Sequence, residues 1–175
     1  MSKQLIPGSD AMVVNEEGVL IPRGIQLPHL EQIDTTDQSI SNVNNAQVIT
    51  FNTDTHHFGI TITSSSRFTI TRRASYMISF SGVCVGQSGK LLEVWLRING
   101  VDVANSNTIY QFKATGSVGI VAVSFLEHFN MGDYFEFWTW GDDLSSTWKS
   151  TAAGALPTRP GCPCIIMTCS YAGRD

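Results

Sequence analysis

The chain has 175 residues and a formal net charge of −4, and only 15% of its residues are charged, against about 25% in an average soluble domain. This composition excludes a collagen-like repeat, an intrinsically disordered chain and a basic nucleic-acid-binding surface. Because 13 valines, 15 isoleucines and 16 threonines favour strands over helices, we expect one all-β domain with a largely uncharged surface.

The first 45 residues differ from the rest and are predicted to form an extended N-terminal arm. They hold two basic and six acidic residues and so carry the whole net charge, whereas residues 46–175 contain nine of each sign. Proline and glycine interrupt short apolar pieces such as Met12–Val14 and Val19–Ile21, and neither piece is long enough for a helix. Two interpretations remain open: a flexible tail, and a segment that lies against another surface.

From Ala46 onward, short runs of alternating apolar and polar residues are separated by turn residues, which is typical of antiparallel β proteins. The predicted strands are Gln47–Phe51, Phe58–Thr63, Phe68–Thr71, Tyr76–Gly82, Leu91–Asn99, Val103–Phe112, Val118–Leu126, Tyr134–Trp140 and Cys164–Tyr171. The Asn99-Gly100 dipeptide is the strongest hairpin signal in the chain. Eight or nine such strands predict an antiparallel two-sheet jelly-roll sandwich over residues 46–175.

Two of these strands turn aromatic residues away from the core. In Leu91–Asn99, the alternation places Trp95 outward between two charged residues. In Tyr134–Trp140, Phe135 and Phe137 share one face, and the other face holds Tyr134, Trp138 and Trp140. A soluble monomer rarely exposes so much aromatic surface. We therefore predict a homo-oligomer, with cover of Trp95 by its own neighbours as the alternative.

The strand Val118–Leu126 adds a second interface signal. Its even positions Ile120, Ala122 and Ser124 are, taken together, smaller than Val121, Val123 and Phe125 and suit close packing against another copy. The predicted interface residues are Trp95, Ile120, Ala122, Ser124, Tyr134, Trp138 and Trp140. A register error of one residue exchanges the two faces of a strand. The sequence therefore leaves open which face of each aromatic strand forms the interface.

Residue patterns for catalysis or ligand binding are missing from the sequence. His56 and His57 are adjacent and face opposite sides of a strand, and Cys162 and Cys164 lack zinc-knuckle spacing. Phosphate loops, dinucleotide fingerprints and nucleophile elbows do not occur. We expect no enzymatic activity, no cofactor, no metal and no nucleic-acid partner. With no signal peptide or long apolar run, we also expect no membrane partner and reduced cysteines.

Residues 46–172 resemble the jelly roll shared by the tumour-necrosis-factor superfamily and the globular heads of complement-type collagens. Within Ala74–Phe80, the side chains Tyr76, Ile78 and Phe80 match the aromatic strand of this family, and Gly132-Asp133-Tyr134 matches its Gly-Asp turn. The resemblance implies a compact homotrimer of two-sheet sandwiches. It also implies that Cys164–Tyr171 is the closing strand and lies beside the N-terminal one.

The runs Tyr76–Gly82, Glu93–Val103 and Asn105–Thr108 are similar to domains of structural proteins of tailed bacteriophages. This similarity implies a trimeric capsid decoration (cement) protein that binds the major capsid protein on the virion exterior, after synthesis in the host cytoplasm. The candidate capsid-anchoring residues of the arm are Glu16, Glu17, Val19, Leu20, Ile21 and Arg23. One alternative is a fibre head that binds a cell-surface glycan, with Trp140 or Trp148 stacking on a sugar. The other is a secreted signalling trimer.

Overall fold

The computed structural model describes the backbone of residues 12–14, 20–22 and 27–173, and the side chains of residues 27–173. Its strands are Met12–Val14 (β1), Leu20–Pro22 (β2), His29–Asp34 (β3), Gln38–Ser39 (β4), Gln47–Val48 (β5), Thr53–Phe58 (β6), Ile60–Ile62 (β7), Phe68–Ile70 (β8), Ala74–Gly86 (β9), Leu91–Ile98 (β10), Val101–Asp102 (β11), Thr108–Gln111 (β12), Ser117–Phe129 (β13), Tyr134–Gly141 (β14), Thr147–Trp148 (β15), Gly154–Ala155 (β16), Thr158–Arg159 (β17) and Ile165–Gly173 (β18). These described residues include no helix, and so none that is long and apolar enough to cross a membrane.

The strands form two antiparallel sheets that enclose one core. Sheet A has the order β13-β9-β18-β3-β6. Beside β18, β15 pairs with the last residues of β9, and β4 pairs with β15. Sheet B has β10 and β14 at its centre, flanked by β11 and β12 on one side and by β5, β8 and β7 on the other. This arrangement confirms the prediction of an all-β, two-sheet antiparallel sandwich.

Aromatic side chains join the two sheets. Tyr76, Ile78 and Phe80 of β9 are all buried, as the period-two alternation requires for the inward face of a strand. The ring centroid of Phe80 lies 4.9 Å from that of Phe137 on sheet B and 5.4 Å from that of Trp148. Burying a side chain of this size stabilises a fold by roughly 1.5–3 kcal/mol, so this aromatic contact is a major part of the core.

The sandwich begins earlier than predicted, because residues 29–45 belong to it and not to an arm. Strand β3 pairs with β18 on one side and with β6 on the other. Its inward positions are Leu30, Gln32 and Asp34, all buried. Two of these three are polar, and the strand therefore lacks the apolar alternation by which the others were predicted.

Because residues 29–45 belong to the sandwich, the prediction of an arm that carries the whole net charge is also wrong. Glu31, Asp34 and Asp37 lie within the sandwich, and residues 1–26 contain two basic and three acidic residues, a net charge of −1. Buried Asp34 accepts hydrogen bonds from the Thr36 backbone N–H at 2.8 Å and from Gln38 Nε2 at 2.6 Å. This carboxylate stabilises the fold and is not available to an external partner.

Three predicted strands are also divided or shortened, and of these Gln47–Phe51 is a strand only over β5. The run Phe58–Thr63 is broken at Gly59, whose φ of +66° lets the chain pass from sheet A into sheet B. The run Val103–Phe112 is a strand only over β12, because Asn105 has a φ of 63° and Ser106 is buried in a turn. The Ser106 hydroxyl accepts from the backbone N–H of Leu96 at 3.1 Å.

Candidate interaction surface

The outer face of sheet A carries a group of apolar side chains on neighbouring strands. These residues, the outer apolar patch, are Val83 and Val85 of β9, Val118, Ile120 and Ala122 of β13, and Ile166 of β18. Cross-strand register places Ile120 opposite Val83 and Val118 opposite Val85. Ile120 is 68% exposed and Val118 is 67% exposed. The patch is therefore open to contact by another molecule.

A polar row borders the outer apolar patch. Ser79 and Ser124 are cross-strand partners, and their hydroxyl oxygens lie 2.8 Å apart; Thr168 is opposite Ser79 on the next strand. The small side chains leave an open groove of about 380 Å³ that also reaches Ala122 and Ile166. The structure thus places the predicted interface residues Ile120, Ala122 and Ser124 together, beside a groove that can receive side chains.

The other four predicted interface residues lie on the opposite side of the molecule. Trp95, Tyr134, Trp138 and Trp140 belong to β10 and β14 of sheet B. They are half-buried and face outward, as the alternation predicts. The two predicted sets therefore occupy the outer faces of different sheets and do not form one continuous surface.

Side chains of the same molecule cover the aromatic face of sheet B. The guanidinium carbon of Arg97 lies 3.9 Å from the ring centroid of Trp138, and that of Arg67 lies 4.0 Å from the centroid of Tyr134. Arg67 Nε also donates to the buried carboxylate of Glu136 at 3.0 Å. These cation–π contacts shield ring faces that the sequence interpretation left open to water.

The indole N–H groups on this face also have partners within the chain. Trp95 Nε1 and Arg97 Nε each donate to Asp102 Oδ1 at 2.7 Å. The hydrogen bond from Arg97 is the main cause that lowers the pKa of Asp102. Trp140 Nε1 donates to the backbone oxygen of Val43 at 2.7 Å. These side chains therefore have partners within the chain, as the alternative stated for Trp95 expects, and their role in an interface stays a prediction.

Among the described residues, the side chains that could bind a metal do not cluster, and three of the four thiols are buried. The described side chains include no cluster of three or more His, Cys, Asp or Glu residues that would hold a metal. Burial raises the pKa of the Cys84 thiol to about 11, and burial together with the charge of Asp34 raises that of Cys164 to about 12. Such thiols are poor nucleophiles at neutral pH.

The remaining predictions concern residues that would bind a glycan or anchor the chain to a capsid. Trp148 is fully buried and cannot stack on a sugar, which removes one of the two tryptophans suggested for glycan binding. Leu20 and Ile21 belong to β2, which pairs with β1 as a hairpin. The other four candidate anchoring residues, Glu16, Glu17, Val19 and Arg23, lie outside the described residues, and their role stays a prediction.

Comparison with known proteins shows the fold. No protein-family model matches the sequence, and a comparison with curated proteins gives no match. Among solved structures, the globular domain of zebrafish complement 1qA aligns with 86% of this chain and 100% of its own, with a TM-score of 0.56 and 15% identity. Murine APRIL aligns with 84% of this chain and 100% of its own, with a TM-score of 0.53 and 7% identity. The fold is therefore the jelly roll that the sequence resemblance implied.

Proposed function

We propose that the protein is a non-enzymatic binding module that assembles into a homotrimer through the outer apolar patch of sheet A. The observation that carries this proposal is the exposure of Val118 and Ile120 on the outer face of an antiparallel sheet. Such a face normally carries polar residues when it is exposed to water. Because the aromatic face of sheet B is covered by its own arginines, sheet A presents the surface that still needs a partner.

The position of β13 also supports association. Within the described residues, the 13 residues of β13 pair with β9 alone, so the strand is an edge of sheet A. A long edge strand with an apolar face promotes uncontrolled association unless a specific partner covers it. Each buried valine or isoleucine stabilises the contact by roughly 1.5–3 kcal/mol. The outer apolar patch contains no charged residue that would repel a second copy.

A ring of three copies suits the layout of this face. The apolar edge strand and the groove beside Ser79 and Thr168 are different parts of one surface. When each copy seats its edge on the face of the next, the contact is heterologous, and a closing rotation produces a ring. The solved structures of complement 1qA and APRIL support a ring of three copies, because the family that residues 46–172 resemble is trimeric. Co-expression of tagged and untagged full chains tests association. We expect the untagged chain to be retained with the tagged chain during purification. Absence of the untagged chain would contradict the proposal.

We further propose that the trimer is a capsid decoration protein of a tailed bacteriophage and binds the major capsid protein on the virion exterior. The support is the sequence similarity of Tyr76–Gly82 and Glu93–Val103 to phage structural domains, together with an apolar N-terminal hairpin outside both sheets. Three arms on one trimer would add avidity. Since residues 1–26 carry a net charge of only −1, we expect shape and uncharged contacts to dominate.

Binding to purified shells that lack their decoration protein tests the capsid role. We expect the full chain to bind in many copies, and Leu20→Asp, which places a charge in β2, to bind at least tenfold more weakly. A Gln4→Asp variant adds the same charge outside the hairpin strands and should bind normally. Binding of a few copies at one vertex, or binding of the free trimer to glycans on an array, would instead support the fibre-head alternative.

A further inference from the structure

A second apolar row crosses the outer face of sheet A, at the end where the N-terminal segment enters the fold. Cross-strand register places Leu126 opposite Met77, Met77 opposite Ser170, Ser170 opposite His29 and His29 opposite Phe58. Leu126 is 61% exposed, Phe58 41% and Met77 39%. We name these three residues the arm-side strip. They lie on β13, β9 and β6, and the row between Met77 and Phe58 is completed by Ser170 on β18 and His29 on β3.

The arm-side strip is distinct from the outer apolar patch. The polar row of Ser124, Ser79 and Thr168 lies between them, and on β3 and β6 this row continues as Glu31 and His56. A copy that covers Ile120 therefore does not automatically cover Met77.

The chain itself enters the fold beside the arm-side strip. His29 belongs to the same row, and its Nδ1 lies 2.9 Å from the backbone oxygen of Leu27. The backbone N–H of Tyr171 donates to the oxygen of Pro28 at 2.9 Å. These contacts fix the start of the sandwich at this end of sheet A. The described part of the sandwich therefore starts at the end of sheet A that carries the strip.

The β1–β2 hairpin is held close to the arm-side strip by a short tether. Pro22 ends β2, and five residue steps separate it from Leu27, a reach of at most about 17 Å. The distance across the sheet from β3 to β13 is three strand spacings, about 14 Å. The hairpin is therefore confined to a volume that contains the strip, which gives it a high effective concentration there.

The hairpin also needs cover. Its register pairs Met12 with Pro22, Val13 with Ile21 and Val14 with Leu20, so every paired position is apolar. An isolated two-stranded hairpin is marginally stable in water. Contact with an apolar surface would stabilise it and cover the exposed side chains of the strip.

We propose that the β1–β2 hairpin docks on the arm-side strip of its own chain. The docked hairpin covers Leu126, Met77 and Phe58 and fixes the N-terminal segment at one end of the sandwich. This contact goes beyond the proposed self-association and does not depend on it, because the strip and the outer apolar patch are separate.

Oxidation of methionine by dilute peroxide tests the docking in the full chain. Met77 lies in the strip, and Met131, 75% exposed in the turn before β14, is the internal reference. We expect Met77 to oxidise much more slowly than Met131, as measured by peptide mass spectrometry. The double variant Val13→Asp/Ile21→Asp should raise the rate at Met77 at least fivefold and leave Met131 unchanged. The control Gln4→Asp/Ser9→Asp adds two charges outside the hairpin strands and should change neither rate.

The variant Val14→Asp/Leu20→Asp charges the other face of the hairpin, and an unchanged rate at Met77 in both hairpin variants would overturn the proposal. The variant Ile120→Asp separates the two contacts, because it acts on the outer apolar patch and leaves the hairpin intact. We expect Met77 to stay protected in this variant. If Met77 becomes reactive there, a neighbouring copy covers the strip, and docking within one chain is wrong. Failure of self-association would appear in the molecular mass of the protein and not in the reactivity of Met77.

Discussion

The guanidinium group of Arg97 covers the indole ring of Trp138, with 3.9 Å between the guanidinium carbon and the ring centroid. Arg97 also donates to Asp102, which accepts from Trp95 as well. One arginine therefore ties together the cross-strand pair Trp95 and Trp138. Because of this contact, the aromatic side chains of sheet B are compatible with a face exposed to water.

Replacing Arg97 by alanine should destabilise the protein without dissociating it. Loss of the cation–π contact and of the hydrogen bond to Asp102 should lower the free energy of unfolding by about 1–2 kcal/mol, as measured by urea denaturation. Arg159→Ala, at an exposed position of β17, is the matched control and should have little effect. A drop in molecular mass for Arg97→Ala would show that the sheet B face is an interface.

Replacing Ile120 by aspartate should dissociate the proposed trimer. A carboxylate in the centre of the outer apolar patch would lose its hydration in a contact between copies, which is unfavourable unless it is paired. Val101→Asp is a matched control, since Val101 lies on sheet B and is also 68% exposed. Size-exclusion chromatography should show a smaller species for Ile120→Asp and no change for Val101→Asp. Equal behaviour of the two variants would contradict the assignment of the interface.

Asp37 should stabilise the fold above about pH 4 and lose this effect in acid. Its carboxylate accepts from Lys149 Nζ and from both the backbone N–H and the hydroxyl of Ser150. These bonds, that from Lys149 first, lower its pKa from 3.8 to about 2. The folded state therefore binds this proton less tightly than the unfolded state, so the contribution falls as the pH drops from about 4 to 2.

The variant Asp37→Asn tests this dependence. At pH 7 it should be less stable than the parent chain by about 1 kcal/mol, a modest figure because the group is partly exposed to solvent. Near pH 2 the two unfolding curves should converge. Asp10→Asn makes the same chemical change outside the described residues and should leave the curve unchanged. A difference that is constant from pH 7 to pH 2 would refute the assigned role.

Apolar–polar alternation predicted strands correctly where one face of the strand is apolar, and it failed where polar side chains point inward. Alternation identified Tyr76–Gly82 and the outward direction of Trp95. It missed β3 because Gln32 and Asp34 occupy inward positions, where hydrogen bonds compensate for their burial. The family resemblance did not supply this strand either, because it was placed over residues 46–172 and made Gln47–Phe51 the neighbour of the closing strand. In the structure β3 lies beside β18, and β5 pairs with β14 on sheet B.

Which residues cover the aromatic rings of sheet B could not be predicted from the sequence, for a different reason. Arg67 is 69 positions away from Glu136 in the chain, and only the fold brings the two together. Periodicity states which way a side chain points, and it contains no information about which distant residue lies over it. The outer apolar patch has the same origin, because it combines residues of β9, β13 and β18.

Thiol reactivity should distinguish one cysteine from the other three. Cys162 is exposed, whereas Cys84, Cys164 and Cys169 are buried, and burial raises the pKa of the Cys169 thiol as well. We expect an aromatic disulfide reagent at pH 8 to titrate one thiol in the native protein and four after denaturation. Rapid reaction of two or more thiols in the native state would contradict this packing.

The most direct test of the central claim is the mass of the full chain in solution by light scattering at micromolar concentration. Self-association into a trimer through sheet A predicts about 57 kDa, three times the chain mass of 19.1 kDa. A mass near 19.1 kDa over the whole concentration range would contradict it.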